Sequence, residues 1–462
     1  MSFWIERFLF NGLTPEVSHL VNVFIYAVLL IKIYDFISIT EIPEDSKKLS
    51  LLALLSALLF LVHPNHVSVV ANIKSRDNLL SMLFGIIACI QLIKMYDYKQ
   101  YWRAFLFLVF ITLALLSKRD SFVFIFIPAL VIFLFRNVNR KQIVIVIAST
   151  AILLITSIMI RRLFMSQLDE KLFLYKMQIT DNPLWMSNAS FTNKLSLALT
   201  SLFYYLKFLF IPYNYYFFYG YKEITMLPLF SLTNIITLVL FIFLSIFCIY
   251  NYNRNRIYIF CWLFFLISIS YALNFFIEIS GIVSDRYNFT ASLGFCIALA
   301  KTLKYLLPKI EIKNLFTNKF ILAVILFYSA FTINRTADWK DEFTLYEHDL
   351  PHIPNSLNAY RIAAGTYIHK ALDEELKPDY NKPLADSFIV KGENHALTAL
   401  SIYDKSAQIW ELLGLCSTYK REYENALQRF SNCYKYDTTY LSGINYLGFA
   451  YWNVNKIDSA LY

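Results

Sequence analysis

Apolar runs separated by short polar connections fill the first two-thirds of the chain, and successive amphipathic helices follow. The runs fall at about 17–39, 49–62, 78–95, 102–116, 121–135, 142–160, 231–250, 256–278, 287–307 and 318–333. Each reads as a membrane span or nearly so, although several are shorter than the roughly 20 residues usually needed. The runs 102–116 and 121–135 flank only "SKRD", which predicts a tight helical hairpin. The run 194–211, "KLSLALTSLFYYLKFLFI", fits either a span or a helix lying in the interface. The pattern predicts an all-α protein: a polytopic transmembrane bundle of about ten spans over 1–335, then helical repeats over 336–462.

Charge placement chooses between the two readings of 194–211. Basic clusters fall at Lys94/Lys99/Arg103, Arg136/Arg140/Lys141, Arg254/Arg256 and Lys301/Lys304/Lys309/Lys313. Cytoplasmic loops carry the excess of Lys and Arg, and all four clusters share that side only if 194–211 does not cross. It is therefore expected as an interfacial helix within an outer loop of about 160–230, while the loop 40–48 falls inside. Residue 1, the connections at 61–77, 117–120, 160–230 and 279–286, and everything after the last span then face the periplasm or lumen. That places the most polar short stretches of the chain on one face.

Composition agrees with an integral protein of a bacterial inner or endoplasmic-reticulum membrane. The chain is 58% hydrophobic and only 16% charged, against roughly 25% charged in soluble proteins. The net charge of +9 follows from the loop clusters and does not indicate a nucleic-acid partner. The start lacks the pattern of a cleavable signal peptide. Cys89, Cys248, Cys261 and Cys296 lie in apolar runs as packing residues, whereas Cys416 and Cys433 could pair in an oxidising compartment.

From Tyr360 onward helical patterns follow one another. Leu413-Gly414 recurs as Leu447-Gly448 and Ala426 as Ala460, both at an interval of 34 residues, the tetratricopeptide (TPR) period. Trp410, Phe430 and Tyr451 take the aromatic positions of that pattern. The last repeat stops inside its second helix, so an incomplete solenoid with apolar surface at its end is expected.

Three polar stretches could carry chemistry. In "HPNHVSVVANIKSRDNLL", residues 63–80, Pro64 ends one helix and Ser75 is a plausible N-cap for the next. Lys74 and Arg76 stand at that helix start, an arrangement that suits a phosphate. The plain alternative is that the cations snorkel to the interface and the histidines bond to backbone carbonyls. "LSKRD", residues 116–120, sets three charges in the hairpin turn, and "SDRYNFTASLGF", residues 284–295, opens a span on an adjacent Asp285 and Arg286. Charges at membrane depth are usually paired or functional. A lipid-linked anion at that surface would account for all three stretches. Metal binding has no support, since His63 and His66 lack a nearby set of carboxylates or thiolates.

"HPNHVSVVANIKSRDNLLSMLF" resembles the H-P-x-H-x-E-S-V-A-x-x-x-x-R-x-x-x-L-S-x-L-F signature of the protein O-mannosyltransferase-like group of GT-C glycosyltransferases, membrane proteins with C-terminal TPR repeats. "LLSKRD" resembles that family's L-S-K-E, "DNPL" its outer-loop D-N-P, and "SDRYNFTASLGF" its E-R-Y-x-Y-x-P-S-L-G-F. "ADWKDEFTLYEHDLPHIPNSLNAY" resembles the junction leading into its repeats. The resemblance implies a GT-C-like fold, a polyprenyl-phosphate sugar (mannose foremost) as donor substrate, no further cofactor, and protein Ser or Thr as acceptor. By position it makes Arg76, Lys118 and Arg286 phosphate contacts, to which Lys74 and Arg119 are added as neighbours, and makes His63 and His66 sugar or phosphate contacts. Asp285 and Asp120 become the candidate carboxylates. The departures are Ser68 where the family has glutamate after the second histidine, Arg119 in place of the L-S-K-E glutamate, and Asp285 for the E-R-Y glutamate. The family's main catalytic acids lie in a loop before the point where this chain starts, so that base is expected to be missing. The expectation is thus a membrane glycosyltransferase whose repeats engage an acceptor or partner protein. The rival is a non-catalytic membrane scaffold with partner-binding repeats. A transporter is disfavoured, as the spans show no two-fold repetition and no broken helix pair.

Overall fold

The computed structural model describes residues 2–9, 12, 14–41, 50–136, 138, 141, 144, 148, 155, 159, 180–184 and 190–460. The expected span 142–160, most of the loop 40–48 and much of 160–190 lie outside the described residues. Among those described, the protein is helical with no strand.

The helices of the apolar region are α1 (Ser2–Leu9), α2 (Pro15–Glu41), α3 (Leu51–Val62), α4 (Val67–Val70), α5 (Arg76–Tyr98), α6 (Arg103–Ser117), α7 (Val123–Phe135), α8 (Phe191–Phe210), α9 (Leu232–Tyr250), α10 (Arg256–Ile269), α11 (Asn288–Leu306) and α12 (Lys319–Asp338). Capping residues set several starts. Ser50 accepts from the Ala53 N–H at 3.1 Å to open α3, and Asn318 accepts from the Phe320 and Ile321 amides to open α12, each satisfying a donor the helix cannot. Helices α2, α3, α5, α7, α10 and α11 share one apolar core, which includes Phe36, Phe60, Phe124, Phe264 and Phe289. Close crossings inside it rest on glycine. A Cβ at Gly294 would lie 2.7 Å from the Cys261 carbonyl, so α11 can press on the α10 backbone only without one.

Among the described residues, four helices are long and apolar enough to cross a membrane: Pro15–Thr40, Ile73–Tyr98, Leu232–Tyr250 and Lys319–Asp338. The pair Leu51–Val62 and Pro64–Val70, bent by 60°, would make a fifth. The runs 103–117, 120–135 and 256–272 form apolar helices of at most 17 residues. The run expected to 278 already ends at Ala272. Asn274, at φ +59°, takes a left-handed turn there, and its carboxamide bonds to the Ser201 hydroxyl, the Ile282 carbonyl and the Ile279 amide.

At the end of the bundle where α2, α5 and α7 finish, Arg136 gathers the chain. Its guanidinium donates to both oxygens of Asp97 at 2.7 and 2.8 Å and to the Ile39 carbonyl at 2.8 Å. One cation thus answers a carboxylate and a helix C-terminal carbonyl together.

The polar part follows as α13 (Glu342–Asp349), α14 (Leu357–Glu375), α15 (Lys382–Ile402), α16 (Ala407–Tyr419), α17 (Tyr423–Tyr436), α18 (Leu441–Asn453) and α19 (Ile457–Ala460). They stack as helix pairs over a core of small residues, among them Ala364, Ala396, Ala426 and Ala450. Gly414 lies under the Phe430 ring, and a Cβ at Gly448 would stand 3.4 Å from the Ala460 carbonyl, so each glycine lets its helix approach the next one closely. Cys416 and Cys433 are buried separately and unpaired, contrary to the pairing considered from sequence.

Residues of the connections before α8 and α9 fix this stack to the bundle. Ser356 donates to the Tyr219 carbonyl at 2.7 Å, Asn358 to the Thr180 carbonyl at 2.8 Å, and the Phe217 amide to Asp349 at 2.7 Å. Asn182 of "DNPL" is fully buried and bonds Asn274 and the Ile279 carbonyl. That motif acts here as a structural tie. Removing the partner of a buried ion pair costs about 3–5 kcal/mol. Asp97→Ala should therefore lower the thermal midpoint of the detergent-solubilised protein well below that of an exposed control such as Glu311→Ala, and equal midpoints would contradict the role given to Arg136.

Candidate functional site

The three polar stretches meet at the opposite end of the bundle. Asn65 donates to the Asp285 carbonyl at 3.2 Å, which ties the first stretch to the third. Lys118 Nζ bonds the Asn78 carboxamide oxygen, which ties the second to the first. The same ammonium lies 5.6 Å from the centroid of the Tyr287 ring, and the Arg286 guanidinium lies 5.4 Å from it. Two cations therefore lie close to one aromatic ring beside Asp285.

Each charged group has a different situation. Lys74 and Arg286 are exposed and make no ion pair within 4 Å among the described residues. Lys118 is mostly buried and stands 3.2 Å from Asp120, whose Oδ2 also accepts from the Tyr271 hydroxyl at 2.7 Å. Asp120 thus orients Lys118. The Arg119 side chain lies outside the described residues. Asp285 is buried; its Oδ1 accepts from the Arg286 amide at 2.9 Å. Burial pushes its carboxyl above the usual carboxylate range, opposed by the nearby Arg335, the Ser68 hydroxyl and Arg286. Ser68 makes no well-formed hydrogen bond, yet it sits close enough to help carry the Asp285 charge. The position where the family has glutamate thus faces the surviving acid.

Buried oxygens without a hydrogen-bond partner concentrate around this place: Asn65 Oδ1, Ser68 Oγ, Asn288 Oδ1 and Asp120 Oδ1. Buried polar atoms are normally paired, so these acceptors set this end of the bundle apart.

Arg76, His63 and His66 are placed differently from the sequence expectation. Arg76 is 1% exposed. It meets Glu6 at 2.5 Å, donates to Asn22 Oδ1 at 2.8 Å and to the Ser18 carbonyl at 2.9 Å, and lies over the Phe3 ring. Its charge is neutralised within the protein, and it is not presented to a phosphate. Both histidines are buried with their ring nitrogens engaged. His63 reaches the Leu209 carbonyl and the Asn65 amide; His66 reaches the Phe60 carbonyl and the Ser292 hydroxyl. They join α3, α8 and α11 and do not face a ligand.

Sequence reasoning missed Glu6, Asn78, Tyr271 and Tyr287. A lone acid in the apolar stretch "SFWIERFLF" was the available signal for Glu6, because such a charge needs a partner. The tyrosines carried no signal among 33 in the chain.

No family model matches the chain, and no solved structure matches it. Among curated proteins, a Caenorhabditis elegans protein named as a protein O-mannosyl-transferase is 25% identical over 355 residues, covering 77% of this chain and 48% of that protein. The aligned part thus spans about half the length of the curated relative it matches. The likeness supports the resemblance to O-mannosyltransferase-like membrane proteins read from the motifs.

The contrast between the buried Arg76 and the exposed Lys74 is measurable. Glu6→Ala strands the Arg76 charge and should cost about 3–5 kcal/mol, whereas Lys74→Ala should stay within about 0.5 kcal/mol. Equal thermal midpoints for the two variants would show that Arg76 is not held as described.

Proposed function

We infer that the protein is a membrane glycosyltransferase of the GT-C type, moving a sugar, mannose foremost, from a polyprenyl-phosphate donor to a Ser or Thr hydroxyl of a protein. The observation that carries the reading is that Lys118 and Arg286 both lie close to the Tyr287 ring, next to a buried carboxylate and a set of unpartnered oxygens. The named activity of the aligned relative points the same way.

In this reading Arg286, Lys118 and Lys74 hold the donor phosphate, and the free oxygens of Asn65, Asn288 and Asp120 accept from sugar hydroxyls. The acceptor hydroxyl attacks the anomeric carbon and gives its proton to Asp285. The bond from that carbon to the phosphate oxygen breaks, and the electron pair leaves with the polyprenyl phosphate. The cations stabilise the charge gathering on that oxygen. A base works best when its pKa lies near the working pH, and burial moves Asp285 in that direction. The helix pairs of α14 to α19, read as TPR repeats, would present the acceptor from the periplasmic or lumenal side. The scaffold reading keeps one observation, the neutralisation of Arg76 by Glu6.

Reconstituted protein supplied with polyprenyl-phosphate hexoses and a Ser/Thr-rich acceptor should transfer sugar, and Arg286→Ala should lower kcat by about 10²-fold or more. Absence of transfer from every donor would favour the scaffold. For an active enzyme, the acidic limb of kcat against pH should lie above the ordinary aspartate value of about 3.9. Activity is lost as pH falls through that limb, because the carboxylate protonates. A limb unchanged in Asp285→Asn would remove Asp285 from the role of base.

A further inference from the structure

The proposed transfer makes no use of a cleft where α12 ends. It is a half-open cavity of about 80 Å3 between the loop Pro212–Tyr216, the last turns of α12 and the His348–His352 turn. Arg335 lies in its wall, 6% exposed. Its terminal nitrogens donate to Asp349 at 2.7 and 2.9 Å and to Asp338 at 3.1 Å, while its Nε–H has no partner. The cleft therefore holds a buried donor whose positive charge is already matched by two carboxylates. An anion gains little from such a guanidinium, and a cation cannot accept from it. The group that answers Nε–H is a neutral oxygen.

The other polar atoms lining the cleft narrow the ligand further. His348 Nδ1 lies 2.8 Å from Asp349 and His352 Nδ1 lies 2.9 Å from the His348 carbonyl. Each Nδ1 donates in those bonds, so Nε2 is the ring nitrogen left to a ligand on both rings. The Asn334 carboxamide, which both donates and accepts, makes no hydrogen bond among the described residues. Donors and acceptors thus stand interspersed around one compact space, beside the exposed ring of Tyr213 and the half-buried Phe331. Hydroxyl groups, each a donor and an acceptor at once, match that inventory. An aromatic face suits the C–H side of a sugar ring. A polypeptide would instead bring amides and carbonyls at one pair per residue and would call for an extended groove.

We propose that this cleft is a second carbohydrate site, binding a neutral hexose unit apart from the Lys118–Arg286 face. The inference concerns binding alone and stands whether or not the protein transfers sugar. The full chain in detergent micelles is titrated with free mannose, glucose, galactose and N-acetylglucosamine by saturation-transfer NMR. At least one should show saturation that falls at least tenfold in Tyr213→Ala and Asn334→Ala and persists in Arg286→Ala. Both cleft positions are exposed, so the variants should fold, which their thermal midpoints check. Loss of the signal in Arg286→Ala with retention in the cleft variants would assign the sugar to the other face and overturn the proposal. So would the absence of saturation for all four sugars, or a Ser/Thr peptide that binds the cleft when they do not.

Discussion

An arginine withdrawn from water must be matched by a carboxylate, because an isolated buried charge costs several kcal/mol. Among the described residues the protein meets this demand at three places. Arg76 is met by Glu6, Arg136 by Asp97 and Arg335 by Asp349. Each pair joins segments that the chain separates. Glu6 brings the first helix against the start of α5, Asp97 closes the far end of the bundle, and Asp349 fixes α13 to the end of α12. Breaking any of them would strand a charge and release a joint together.

This pairing also sorts the cations by what they can do. The three arginines answered inside the protein are structural, including Arg76, which family position alone would have placed on a phosphate. Lys118 is held on Asn78 and Asp120 but turns toward Tyr287, and Arg286 and Lys74 keep their charge at the surface. In the proposed reading the face left to an anion is therefore narrower than the motifs implied, around Tyr287 beside Asp285. The ties from the connections before α8 and α9 bring the α13–α14 junction to this same end. Arg335 illustrates the connection, since it pairs with Asp349 on one side and favours the charged form of Asp285 on the other.

The all-α class and the positions of most helices were legible as periodicity. The meeting of the three polar stretches was legible from the topology argument, and the structure brings together Asn65 with Asp285 and Asn78 with Lys118. What the pattern could not show was the orientation of single side chains. Histidines at a helix break look alike whether they face a ligand or the carbonyls of Phe60 and Leu209, and here they face the carbonyls. Arg76 looked free because Glu6 lies 70 positions earlier in an eight-residue helix. An apolar run need not be one helix, as Asn274 shows by turning the chain inside the run 256–278.

The claim on which the account turns is that the connections around residues 74–78, 118–120 and 285–287 form one anion-binding surface. A polyprenyl phosphate bearing a photoreactive group at its head, cross-linked to the full chain in vesicles and mapped by peptide mass spectrometry, tests it directly. The account predicts label in those three segments, suppressed by excess unlabelled polyprenyl phosphate. Label confined to the Arg254–Arg256 connection or to the repeat helices, with those three segments unmodified, would contradict it.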